Sequence, residues 1–257
     1  MGWATSLIPD PMNSSSWLSY YRQNRLNRTE PQWELADHEG AEARSQMARS
    51  LSHFQLGESG GGTFLFQHAR RAYPEDPDYW EVLALFVQEE QEHARLLGRL
   101  VERYQGRLVN GHWTHSLFRG IRRALGARFE IQVLVIAELV GTAYYRFLEQ
   151  RTSDPVLRQV CEIVLRDEDR HIAFHAERFS TDQAAWLPLE RALWVAQFQV
   201  LFLGALRVAW LDHRPALQSL GVRPSDFHQV ARRECLLFLA RVAPAPQHLL
   251  TPASTGL

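Results

Sequence analysis

The chain contains no lysine: its 28 basic residues are all arginine, set against 29 acids, for a formal net charge of −1. That balance excludes a dedicated nucleic-acid binder, which carries a marked basic excess. The exclusive use of arginine reads as the mark of a GC-rich bacterial genome, not of mechanism. Cysteine is nearly absent. Cys161 and Cys235 cannot build a disulfide framework or a four-thiolate metal site, so a cytoplasmic, reducing environment is expected. The first residues lack the basic end and apolar stretch of a signal peptide. The most apolar run, Leu193 to Leu211, is interrupted by Gln197, Gln199 and Arg207. It is expected to be a buried helix, since a membrane span wants about 20 mostly apolar residues. Strand-like alternation is missing almost everywhere. What remains is 46% hydrophobic residues over 257 positions, enough for a sizeable core and too much for a disordered chain.

Helical periodicity fills most of the length. Residues 1–34, rich in Ser, Asn, Pro and Arg, read as an irregular N-terminal arm with room for one short helix. Helices are expected at about 35–71, 78–104, 121–150, 155–179, 183–212 and 224–242. The segment from Tyr73 to Asp78 stops the first, because its prolines remove a donor and restrict the residue before them. Asp154-Pro155 is a helix-start signal, a capping residue followed by proline in the first turn. Residues 106–120 read as a crossover, with His112 and His115 as surface residues on it. The Pro/Ala/Ser/Thr-rich residues 243–257 read as a disordered tail. The expected organisation is therefore an arm, one all-α domain at 35–242, and a tail.

Two of these helices share a pattern. One contains Glu89-Glu90-Gln91-Glu92-His93, the other Asp167-Glu168-Asp169-Arg170-His171. Residues i and i+3 share a helix face, so Glu90 with His93, and Glu168 with His171, can address a common spot. Two further glutamates, Glu58 and Glu138, stand in apolar or small-residue surroundings on the other two helices. At about 1.5 Å per helical residue, the paths from Glu58 to the Pro74 turn and from Pro77 to Glu90 are both roughly 20 Å. An antiparallel hairpin thus brings Glu58 level with Glu90, and the same reasoning levels Glu138 with Glu168. The alternative is that these acids are helix-surface charges joined in salt bridges.

One glutamate from each of two helices and Glu-x-x-His from each of two others resembles the ferritin-like dinuclear carboxylate proteins. The resemblance covers about residues 35–180 and implies a ferritin-like four-helix bundle with two additional C-terminal helices at about 183–242. It implies Glu58, Glu90, His93, Glu138, Glu168 and His171 as metal ligands, with Glu90 and Glu168 bridging. Four carboxylates offset most of the charge of two divalent ions, and this donor set suits two Fe ions or a Mn/Fe pair. In several diiron oxygenases the acid just before the motif bonds the opposite histidine. Glu89 and Asp167 stand at those places, where they would fix tautomer and basicity.

Within that superfamily, fold does not choose the chemistry. Thr142 lies one turn after Glu138, where hydrocarbon-oxidising diiron monooxygenases carry a threonine that handles protons; a helix-packing threonine is the alternative. Leu97 occupies the place where small-subunit ribonucleotide reductases put their radical tyrosine, and no rubredoxin-type Cys-x-x-Cys is present. His175, one turn after His171, reads as packing or support; the extra histidine of arylamine N-oxygenases would fall at Val164. Gly60-Gly61-Gly62, costly inside a helix, reads as close packing, a kink, or space beside the metals. The expectation is a diiron oxidoreductase, an oxidase or monooxygenase that uses O2 on a small-molecule substrate with an external electron donor. A homodimer is allowed; no nucleic acid, membrane, flavin or nucleotide is expected. The alternative is a ferroxidase or peroxide scavenger without a specific organic substrate.

Overall fold

Two of the long helices start at an aspartate followed by proline. Asp76 accepts from the Tyr79 amide at 3.0 Å and Asp154 from the Val156 amide at 2.9 Å, each with proline in the first turn. A computed structural model describes residues 13–112, 120 and 127–243. Among these it contains eight helices and no strand, an all-α protein. The helices are α1 (Ser14–Leu26), α2 (Ala41–Glu58), α3 (Thr63–Ala72), α4 (Pro77–Arg103), α5 (Ala127–Arg151), α6 (Pro155–Gln183), α7 (Pro188–Ser219) and α8 (Pro224–Val242). The start of the arm, most of the crossover with His115, the beginning of the segment expected at 121–150 and nearly all of the tail lie outside the described residues.

The single helix expected at about 35–71 is instead two. The break falls at Ser59–Gly62, directly after Glu58. Gly62 adopts φ +65°, and a Cβ there would sit 2.8 Å from Val87 Cγ2. Glycine is needed at this position for both reasons. A second difference lies at the C-terminal end of α7, which runs seven residues beyond the expected Asp212, through Pro215. Burial of Ala216 and Leu217 in the core offsets the backbone bond that the proline removes. The helix then closes where the Val222 amide reaches the Leu217 carbonyl at 3.0 Å, with Gly221 at φ +71°.

α2 lies along α4, α5 lies along α6, and α4 meets α6. α7 and α8 pack outside this set, with Trp194, Phe198, Phe202 and Trp210 in the core. The opposite face of α7 is exposed at Leu189, Leu193, Val200, Leu203 and Leu211. The 193–211 run is therefore half-buried, which corrects the expectation of a buried helix. α5 and α7 are both long and apolar enough to cross a membrane, and α5 is mostly buried within the protein.

The short helix of the arm is part of the core. Trp17, Leu18 and Tyr21 of α1 are buried, and the Trp17 indole donates to Glu177 at 2.9 Å. Burying one such ring stabilises by about 1.5–3 kcal/mol, which anchors α1 along α4.

Candidate metal centre

The side chains of Glu58, Glu90 and His93 offer ligand atoms within 4.8 Å of one another, and so do Glu90, Glu168 and His171. Glu90 belongs to both sets. Its Oε1 lies 3.0 Å from His171 Nδ1 and 3.8 Å from His93 Nδ1. Glu168 turns one oxygen to each histidine: Oε1 is 3.7 Å from His93 Nδ1, and Oε2 is 3.6 Å from His171 Nδ1. Glu138 stands in neither set. It lines the same cavity as Glu58, Glu90 and Glu168, with its Oε1 3.6 Å from His175 Nε2. Helical spacing explains the arrangement, because α4 and α6 each turn one Glu-x-x-His face inward.

Both imidazoles are held from behind. Asp167 faces His93 Nε2 at 3.2 Å, and Glu89 faces His171 Nε2 at 3.0 Å. A carboxylate accepting at Nε2 leaves each Nδ1 turned towards the glutamates. Sequence reasoning missed what holds the two acids. The Asn24 amide donates to Glu89 at 2.7 Å and to Asp167 at 3.2 Å. Arg28 Nη2 lies 3.3 Å from Glu89 and 3.4 Å from Asp167. Tyr21 lies nearly parallel to the His171 ring, 6.1 Å away. Trp17, Tyr21 and Asn24 are spaced four and three apart on α1, and that helical spacing was the available signal; Arg28 lies just past the helix end.

The electrostatics show a site crowded with protons and charge. Burial pushes Glu58 well above the usual carboxylate range, and the Glu90 charge adds to this. Glu168 is raised for the same two reasons. Glu90 is lowered to about 2: burial opposes this, but its close contacts with Glu58 and His171 outweigh it. His93 and His171 are both held above their ordinary value. Burial works against them, while Asp167 and Glu90 support His93, and Tyr21 and then the acids Glu168, Glu89 and Glu90 support His171. Buried acids that share protons with each other and with imidazoles are what a cation would relieve. Glu58, Glu90 and Glu168 with the two inward-facing imidazole nitrogens form two overlapping groups that could hold metal ions, and Glu138 stands beside them on the cavity wall.

The remaining candidates sit close by. Thr142 is fully buried one turn past Glu138, and its hydroxyl has no hydrogen-bond partner among the described residues. His175 is buried against Phe86 and Phe174. Burial, with His171 nearby, pushes His175 down to about 3, so its contact with Glu138 is that of a neutral imidazole and not an ion pair. Tyr145 donates to Glu58 at 3.5 Å. The break after Glu58 opens onto a cavity of about 640 Å3, whose wall includes Gly60, Gly61, Gly62, Phe54 and Tyr145. No family model, curated protein or solved structure matches this chain.

Proposed function

We propose that the protein is a ferritin-like dinuclear non-haem iron enzyme, an oxidase or oxygenase that uses O2 on a small organic substrate. One observation carries the reading: Glu90 and Glu168 lie between the inward nitrogens of His93 and His171, on the wall of a cavity large enough for a small molecule. Glu58, Glu90, His93, Glu138, Glu168 and His171 would hold the ions. Two iron ions, or a manganese–iron pair, supply when bound the redox chemistry towards O2 that side chains lack.

The chain's own groups have separable tasks. Asp167 and Glu89 keep the histidine rings oriented and their Nε2 protons in place. Glu58 and Glu168 give up protons when cations enter, which makes loading dependent on pH. Tyr145 holds Glu58 through its hydroxyl. Phe54, Leu65 and Val133 give the cavity an apolar share of wall for an organic substrate. An external reductase or the substrate itself supplies electrons.

A protective ferroxidase is the second reading, favoured by the polar share of the same wall, where His53, Glu130 and His213 stand. Anaerobic loading with Fe(II), followed by measured O2 uptake, separates the two. The enzyme reading predicts that uptake without reductant stops after the resident ions are oxidised, and resumes with a donor and an organic substrate. Sustained oxidation of added Fe(II) would favour the ferroxidase instead.

A further inference from the structure

A second group of metal-binding side chains shares the cavity with the glutamates. His53 of α2 and Asp212 and His213 of α7 offer ligand atoms within 4.8 Å of one another. His53 lies five residues before Glu58, about 7.5 Å along the helix axis, so this group is distinct from the glutamate cluster. His112, expected as a surface residue of the crossover, instead stacks on His53 with ring centroids 3.8 Å apart. We propose that His53, Asp212 and His213 form a mononuclear site for a divalent transition-metal ion, with His112 stacked on His53 beside it.

The distances carry the proposal. His53 Nδ1 and His213 Nε2 lie 3.2 and 3.6 Å from Asp212 Oδ2, and His112 Nε2 lies 3.5 Å from Oδ1. The 3.6 Å separation of His213 Nε2 from Asp212 is too long for a hydrogen bond. With the 3.2 Å of His53 it brackets the edge of a tetrahedron of ligands about 2.1 Å from a common ion, which is about 3.4 Å. His213 is also oriented from behind: its Nδ1 bonds Ser50 Oγ at 2.8 Å, and Ser50 bonds the Tyr144 hydroxyl at 2.6 Å. That leaves Nε2 turned towards Asp212, the arrangement by which proteins aim a ligating imidazole. Two imidazoles and one carboxylate suit zinc, cobalt or iron and not calcium or magnesium. The shared cavity puts the site where it can hold an ion that passes on to the glutamates; this role, unlike the site, rests on the dinuclear reading.

Cobalt(II) titration of the metal-free full-length chain tests the site. In the Glu90→Ala/Glu168→Ala background, one equivalent should still bind and give the intense visible bands of a low-coordinate Co(II). Adding His53→Ala and His213→Ala should weaken that binding at least 100-fold. Where the quadruple variant fails to fold, the wild-type stoichiometry decides, because His53→Ala/His213→Ala alone should remove one equivalent and leave the rest. Anaerobic stopped-flow loading of that variant should also slow while final occupancy of the glutamates is unchanged. Absence of Co(II) binding in the Glu90→Ala/Glu168→Ala chain, or binding that survives loss of both histidines, would reduce the group to a hydrogen-bonded network. Failure of the glutamates to bind metal leaves this result readable on its own.

Discussion

Asp167 on α6 reaches across to His93 on α4, meeting its Nε2 at 3.2 Å, while Glu89 on α4 returns the contact to His171 on α6 at 3.0 Å. Each motif thus carries the acid that orients the other motif's histidine. Replacing Asp167 by Asn, or Glu89 by Gln, removes the charge and leaves the shape. Metal affinity should fall about 10–100-fold for either substitution, measured by competition with a chelator. Unchanged affinity in both would mean that the reciprocal contacts do not support metal binding.

Arg28 is the cation that both acids share, and its side chain is only 19% exposed. Arg28→Met should lower stability by about 1–3 kcal/mol in chemical denaturation, because it leaves two buried acids short of a partner. Arg22 pairs with Glu81 on the open surface, so Arg22→Met should change stability by less than about 0.5 kcal/mol. Equal effects would remove the special standing of Arg28.

The three glycines after Glu58 are not equivalent. A Cβ at Gly62 meets Val87 at 2.8 Å on a backbone with φ +65°, whereas a Cβ at Gly61 meets nothing within 4 Å. Gly62→Ala should cost about 1–3 kcal/mol, and Gly61→Ala should be neutral or slightly stabilising. Thermal denaturation of the two single variants checks the contrast.

The dependence of metal-free stability on pH has a definite sign. Glu58 and Glu168 have folded-state values raised above the unfolded ones, so the stability they contribute is full below about pH 4.5 and is lost as pH climbs through the folded values. Glu90 and Asp167 are lowered, so their contribution is present above about pH 4 and is lost as acid drives pH down through their folded values. Metal must displace protons from the raised glutamates and from His93 and His171. The gain in Tm on loading with Mn(II) should therefore grow between about pH 5.5 and 7.5. A gain that is flat or shrinks over that interval would contradict this reading of the cluster.

How much of this was legible in the sequence depended on how far apart the partners lie along the chain. The spacing of Glu90 with His93 and of Glu168 with His171 is local, and helical geometry alone puts each pair on one face. The caps at Asp76 and Asp154 are equally local. Asn24 and Arg28 were hidden because their partners Glu89 and Asp167 lie far along the chain, and because Ser, Asn and Arg around them read as an arm. The glycine run announced something unusual after Glu58, but a full break in place of a kink depends on Val87, a residue of another helix. The end expected at Asp212 was wrong because burial of Ala216 and Leu217 carries the helix on through Pro215. His112 looked like a surface residue because its neighbours His53 and Asp212 come from α2 and α7, which no local pattern joins to it.

The account depends most on the glutamates and histidines forming a two-ion centre. Anaerobic Fe(II) titration of the His53→Ala/His213→Ala chain isolates that centre, with iron counted per chain after removal of unbound ion. Two iron ions should bind per chain, and Glu90→Ala with Glu168→Ala should abolish both. One ion or none in the parent, or two ions retained without those glutamates, would contradict the centre itself.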